Sequence, residues 1–145
     1  VGANWECQTF TPSSAHQITS VKLLMFREGT PGTLTVNIKA VDAAHKPTGS
    51  ALCTGTLDCS AITTNTAGVL YEITLGAGAP LSASTEYAIE ASSPAGASPN
   101  FIDWNRRYQA TLYAGGYRYA AQTQVRHGRW KLAKITNLRN GVMSR

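Results

Sequence analysis

The sequence predicts an all-β protein made of a single antiparallel β-sandwich. Apolar and polar residues alternate with a period of two through most of the first hundred residues, and turn-forming clusters interrupt the alternation at short intervals. No segment before residue 100 has an apolar stripe with the 3.6-residue period of a helix. Short alternating strands joined by turns favour an antiparallel sandwich, with a barrel as the alternative.

Four segments alternate most clearly, and each is expected to place one face on a core and the other in water. They are residues 21–26, 34–39, 69–75 and 87–92. In this pattern Glu72 and Glu90 fall on polar faces and are interpreted as ordinary surface charges. The turn clusters lie at residues 28–32, 45–49, 76–80 and 92–96.

The region after residue 100 has a different character. Residues 101–104 are predicted to form a strand, and residues 113–119 contain a Gly-Gly turn flanked by aromatic side chains. Residues 125–135 are interpreted as a further strand pair or a docking arm. We therefore expect one domain, with the sandwich in residues 1–121 and a basic C-terminal segment, as last strand or docking arm, in residues 122–145.

Length and composition exclude several classes of protein. A chain of 145 residues fits one domain, which rules out a multidomain enzyme. No apolar run approaches the roughly 20 residues of a membrane-spanning helix, so no membrane span is predicted. Charged residues make up 14% of the chain, below the roughly 25% of ordinary soluble proteins, and small polar residues take their place.

The charges are divided unequally along the chain. Residues 1–104 contain four basic residues and all eight acidic ones, whereas residues 105–145 contain nine basic residues and no acidic one. A solvated basic face is one interpretation; the other is a basic segment that meets an acidic partner. The chain carries its own acidic complement, so self-association is favoured. Nucleic acid is a less favoured partner because the basic residues form no recognisable binding motif.

The three cysteines do not form a fully paired framework, since their number is odd. Cys53 and Cys59 could close a small disulfide loop, which would leave Cys7 as a free thiol. The alternative is three buried or partly buried thiols. Their spacing does not resemble a zinc site, and no metal or other cofactor is expected.

Several stretches resemble a family of small jelly-roll-like β-sandwich modules found in phage virion proteins and bacterial cell-surface proteins. The similar stretches lie within residues 7–120, at 7–12, 18–23, 29–36, 46–49, 81–89 and 113–116. The resemblance implies a jelly-roll-like sandwich and a place on the surface of a virion or outside a cell. The sequence departs from the family after Ala120, where an acidic, Gly-rich hairpin is replaced by a basic segment.

Catalytic chemistry is not expected. The three histidines, His16, His45 and His127, lie in predicted turns and have no nucleophile motif beside them. Glycoside hydrolysis needs two carboxylates about 5–10 Å apart, and only Asp103 stands in an aromatic neighbourhood. The sequence contains no Gly-rich phosphate loop and no metal-ligand spacing.

Binding is predicted instead in the last third, where aromatic residues are interleaved with arginines. Tyrosine, tryptophan and arginine are enriched at protein interfaces, and aromatic rings also stack on sugars. The alternative is that Trp104 and half of the tyrosines fill the core. The candidates for an interface or a glycan site are Trp104, Arg106, Arg107, Tyr108, Tyr113, Tyr117, Arg118, Tyr119, Arg126, Arg129 and Trp130.

These observations predict a non-enzymatic structural subunit on the exterior of a larger particle. A capsid-decorating or tail-associated virion protein, or a subunit of an extracellular filament, would fit. Its partners would be copies of itself or a particle shell protein, with Arg126, Arg129 and Trp130 as anchors of a docking arm. The alternative is a carbohydrate-binding module that attaches a cell or virion to polysaccharide.

Overall fold

A computed structural model describes residues 5–96, 99–104, 118–120 and 134–136 of the chain. Its regular structure in these ranges is antiparallel β-sheet plus one short 3-10 helix, Cys59–Ala61. The strands, in chain order, are β1 (Trp5–Phe10), β2 (His16–Glu28), β3 (Thr33–Val41), β4 (Pro47–Asp58), β5 (Val69–Leu81), β6 (Tyr87–Ser92), β7 (Phe101–Trp104), β8 (Arg118–Ala120) and β9 (Lys134–Thr136).

The strands form two sheets, which confirms the predicted antiparallel β-sandwich. Sheet A has the order β4-β3-β6-β1-β8. Sheet B has the order β5-β2-β7, and β9 pairs with β2 beside β7. The pairing is nested, because β1 pairs with β8, β2 with β7 and β3 with β6. This rolled-up nesting is the jelly-roll feature, although β4 hydrogen-bonds to β3 instead of β5.

The core lies between the sheets and follows the predicted alternation. Val21, Leu23 and Met25 of β2 are fully buried, as are Leu34, Val36 and Ile38 of β3. In β5 the alternation holds at Ile73 and Leu75, whereas Val69, at the start of this strand, is 48% exposed. The remaining members of the core cluster are Phe10, Ile18, Cys59, Ile62, Ala79, Leu81, Tyr87, Ile89, Ala91, Ile102 and Trp104.

The prediction that β6 turns a polar face to water was wrong. Tyr87, Ala88, Ile89, Glu90 and Ala91 are all buried. The reason is position: β6 lies in the middle of sheet A, between β3 and β1, so its outward side chains have neighbours on both flanks.

Two further predictions needed correction at the turns. Residues 76–80 do not end a strand; they belong to β5, where the register against β2 shifts between Ile18 and Ser20. Gly76 and Gly78 have positive φ angles of 60° and 78° in this irregular stretch, which glycine adopts at little cost. The turn after β3 ends at Lys46, so Pro47, Thr48 and Gly49 lie in β4.

Candidate binding surfaces

The structure places Trp104 in the core, not on a surface. Its side chain is 4% exposed, and it pairs in register with the fully buried Met25. The ring therefore has no face available to a sugar or a partner protein, and the alternative interpretation, in which Trp104 fills the core, describes its position. Its Nε1 atom is buried, and no described residue supplies a hydrogen-bond acceptor for it.

Two of the other candidates, Arg118 and Tyr119, belong to β8 at the edge of sheet A. Their backbones pair with Gln8 and Cys7 of β1. The rest of the predicted binding residues lie outside the described residues, namely Arg106, Arg107, Tyr108, Tyr113, Tyr117, Arg126, Arg129 and Trp130. Of the segment 122–145, the described part is β9, which pairs with β2 of the same chain.

The disulfide between Cys53 and Cys59, one of the two alternatives that the sequence left open, is not formed. None of the three cysteines, all of which lie among the described residues, forms a disulfide. Cys53 lies within β4 and Cys59 follows the end of that strand, so the intervening chain is extended. At about 3.3 Å per residue, six residues separate the two Cα atoms by nearly 20 Å, far more than the roughly 6 Å that a disulfide spans. Burial raises the pKa of both thiols.

Glu90 is a buried member of a partly exposed polar network, not a free surface charge. Its Oε1 atom accepts a hydrogen bond from Asn37 Nδ2 at 3.1 Å and lies 3.1 Å from Lys39 Nζ. The Asn37 Oδ1 atom in turn accepts from the Thr54 hydroxyl at 2.8 Å. The network crosses β4, β3 and β6, so it fixes these strands laterally on the outer face of sheet A.

A row of hydroxyl groups ending in an indole crosses the same outer face. Residues directly opposite each other on antiparallel strands share a face. By this rule Thr56, Thr35, Ser92 and Trp5 form one row across β4, β3, β6 and β1. Thr56 is exposed and the other three are half-buried. An aromatic ring with polar groups beside it is an arrangement that a sugar can use, the ring for stacking and the hydroxyl groups for hydrogen bonds.

Trp5 was not among the binding residues predicted from the sequence. Polar residues occupy both faces of β1, so the alternation there is too weak to show which face carries Trp5. Only the register of β1 against β6 places it beside Ser92. A signal was present in the sequence, since Trp5 is one of only three tryptophans.

Glu6 is buried on the inward face of sheet A. It pairs in register with Ala91, a core residue, and is 9% exposed. Burial, which disfavours the charged form, and, to a smaller extent, the nearby negative charge of Asp103 raise the pKa of Glu6 from 4.5 to about 7. The side chain is therefore partly protonated at neutral pH.

Two of the histidines can be placed. His45 lies in the turn between β3 and β4, as expected, and its Nδ1 atom is 2.6 Å from Oε2 of Glu86. His16 was predicted in a turn but is the first residue of β2, with Nδ1 2.9 Å from the carbonyl oxygen of Ser14. In the described ranges, no three His, Cys, Asp or Glu side chains converge as a metal site requires.

The strand order places the described pieces of the basic segment away from β4 and β5, whose charged residues are acidic. β4 and β5 are edge strands, and they meet where Gly55 of β4 approaches Thr74 of β5. We call the side of the molecule formed by these two strands the β4–β5 side. β8 lies at the other edge of sheet A, and β9 lies on the edge of β2 that faces away from β5. The two described pieces of the basic segment thus lie opposite the β4–β5 side.

Comparisons with protein-family models, curated proteins and solved structures found no match. The described residues include no helix of the length and apolar character needed to cross a membrane. The fold thus defines the class of protein, an antiparallel β-sandwich, and its function has to be argued from its surfaces.

Proposed function

We propose that this protein is a non-enzymatic structural subunit on the exterior of a larger particle. A capsid-decorating or tail-associated virion protein, or a subunit of an extracellular filament, fits this role. Its partners are copies of itself or a particle shell protein. The observation that carries the proposal is the charge division, with nine basic residues and no acidic residue in 105–145.

The fold supports this proposal by giving the charge division a direction. Both described pieces of the basic segment pair on the side of the sandwich opposite β4 and β5. A molecule with one basic side is drawn to an acidic surface of another molecule, and complementary potentials fix the orientation of the two. The resemblance to jelly-roll-like modules of virion and cell-surface proteins supports the same role.

The first experiment is the molar mass of the full-length chain by light scattering at low and high salt. We expect an oligomer at low salt that dissociates as salt screens the charges. The triple variant Arg126→Gln, Arg129→Gln, Trp130→Ala should shift the chain to monomer. Substitution is a sharper test than deletion of 122–145, which would also remove β9 from sheet B.

The control is Lys46→Gln, which removes one exposed positive charge from the turn before β4. It should associate like the wild type. A wild-type chain that is monomeric at both salt concentrations would contradict the proposal.

The second candidate is a carbohydrate-binding module, and the row of Thr56, Thr35, Ser92 and Trp5 is the observation that favours it. In that case titration calorimetry of the wild type should show heat with a neutral or acidic polysaccharide. Trp5→Ala should abolish the heat and leave the circular dichroism spectrum unchanged. Absence of heat with every glycan tested would remove this candidate.

A further inference from the structure

The β4–β5 side has an apolar component that the rest of the described surface lacks. Three large hydrophobic side chains among the described residues are exposed, and all three lie on these two strands. Leu52 of β4 is 45% exposed, and Val69 and Leu70 of β5 are 48% and 43% exposed. Leu70 lies opposite the half-buried Leu24 of β2, which extends the apolar surface across the strand pair. Val69 and Leu70 are adjacent at the start of β5, and exposed apolar surface of this kind is typical of interaction sites.

The same side carries negative charge and no positive charge of its own. Residues 47–104, which contain both strands, include five acidic residues and no basic one. Asp58 at the end of β4 is exposed, and hydrogen bonds from Ser60 lower the pKa of its carboxyl group. Glu72 of β5 is also exposed and accepts a hydrogen bond of 2.7 Å from the Ser20 hydroxyl.

These two carboxylates are available to a partner. Neither forms an ion pair with another described residue. Lys22 lies opposite Glu72 in the register, yet the only hydrogen bond of the Glu72 side chain in the described part comes from Ser20. By contrast, Glu90 is paired with Lys39, and Glu86 with His45. Asp58 and Glu72 therefore differ from the acids that the sandwich already uses internally.

Within one molecule, β8 of the basic segment does not come near Asp58 of β4. β4 and β8 are at opposite edges of sheet A, four strand intervals apart, which at about 4.8 Å per interval is roughly 19 Å. Contact between the β4 and β8 edges therefore requires a second copy of the chain, whereas β9 lies two strand intervals, about 10 Å, from β5 in the same sheet.

We infer that the β4–β5 side is the docking surface for the basic segment of a second copy, so that copies join head to tail. The inference rests on the proposed function and adds the surface that receives the basic segment. Its contact is heterologous, since different surfaces of the two copies meet. Such a contact builds a ring when the rotation between copies closes and a filament when it does not.

The test uses two full-length variants whose defects lie on opposite sides of the contact. The first, Asp58→Asn with Glu72→Gln, removes both charges but keeps the acceptor oxygens for Ser60 and Ser20. The second is Arg126→Gln with Arg129→Gln. Sedimentation velocity at low salt should show about tenfold weaker self-association for each variant than for the wild type.

Mixing the two variants separates head-to-tail contact from any symmetric one. At a concentration where neither variant associates alone, the intact basic segment of the first should dock on the intact β4–β5 side of the second. We expect a 1:1 complex of twice the monomer mass that grows no further. A mixture that stays monomeric would overturn the inference.

Two more variants complete the design. Leu70→Ser should weaken association at low salt without removing its dependence on salt concentration, because salt does not screen an apolar contact. Asp42→Asn, in the β3–β4 turn, removes one negative charge outside the surface and keeps its acceptor for Ala44 and Lys46, so it should associate normally. If the wild type assembles and the β4–β5 variants assemble equally well, the surface is wrong while the proposed function stands. A monomeric wild type would reject the proposed function itself.

Discussion

Gly55 sets how closely the two edge strands of the sandwich approach. A Cβ atom added at this position would overlap the carbonyl oxygen of Thr74 and come within 2.8 Å of the Ile73 Cγ2 atom. Because the obstacle includes backbone, a rotamer change cannot relieve it. The absence of a side chain at one residue therefore allows sheets A and B to meet at the β4–β5 side.

We predict that Gly55→Ala lowers the free energy of unfolding by about 3 kcal/mol, since overpacking against backbone forces the strands apart. The matched control is Gly49→Ala in the same strand, where a Cβ atom would meet nothing within 4 Å. Gly49 has a φ of 71°, so alanine there should cost about 1 kcal/mol through backbone strain alone. Urea unfolding of both variants measures the difference. Equal losses in the free energy of unfolding for the two variants would mean that the close approach at Gly55 does not contribute to stability.

At the scale of elements, one end of the sandwich is held by side chains that tie distant connections together. Arg27 Nε donates a hydrogen bond of 2.8 Å to the Ile62 carbonyl oxygen. The buried Ser93 hydroxyl donates one of 2.6 Å to the Pro31 carbonyl oxygen. Asn100, before β7, accepts from the Thr30 backbone N–H at 2.8 Å. These hydrogen bonds link three loops: the one between β2 and β3, the one between β4 and β5, and the one between β6 and β7. This end of the sandwich therefore behaves as one unit.

Asn100→Ala should therefore lower the free energy of unfolding more than the same substitution at an asparagine that bonds only within its own loop. We expect a loss of about 1 kcal/mol, the usual net value of a hydrogen bond, and faster hydrogen exchange at the Thr30 amide. Asn65→Ala is the control, because Asn65 accepts from Ala67 just two residues away in an exposed loop. Its loss should be clearly smaller. If the Thr30 amide exchanges at the wild-type rate in Asn100→Ala, the bond does not hold this end together.

The strand pattern of the elements was largely predictable, and its failures have identifiable causes. β2 and β3 follow the alternation read from the sequence, and β7 is the strand predicted at residues 101–104. β4 was missed because its segment is rich in small residues and has little apolar alternation, so its strand conformation depends on pairing with β3. The mistaken turn at 76–80 has a similar cause, since glycine and proline in a strand can mark an irregular stretch as well as a turn.

At the scale of the whole molecule, buried Glu6 links stability to pH. The folded state raises its pKa from 4.5 to about 7, so between these values the folded chain binds this proton more tightly than the unfolded chain. Stability contributed at this site is therefore full below about pH 4.5 and falls as the pH rises to about 7. The loss above pH 7 amounts to about 3 kcal/mol.

Glu6→Gln should remove this dependence, because an amide of the same shape carries no charge. We expect the variant to be more stable than the wild type at pH 8 and similar to it at pH 4.5. Thermal unfolding at a series of pH values provides the measurement, with Asp42→Asn in the exposed β3–β4 turn as control. A wild type and a Glu6→Gln variant with parallel pH profiles would show that Glu6 ionises freely in the folded chain.

The candidate surfaces were less predictable than the fold. The sequence showed that basic residues are concentrated in 105–145, but not that β4 and β5 lie opposite the described pieces of that segment. It marked Trp104 as a binding residue, whereas the register with Met25 places that ring in the core. It interpreted Glu90 as a surface charge, although the central position of β6 buries it.

The sequence by itself determined the strand periodicity, the inward faces of β2 and β3, and the separation of charge along the chain. These properties are local, because alternation and composition are set by neighbouring residues. The tertiary structure alone decided which strands are central and which are edges, and therefore which polar residues are buried and which surface opposes the basic segment. Those properties depend on pairing between residues far apart in the chain, such as Asn37 with Glu90 and Trp5 with Ser92, which no local pattern encodes.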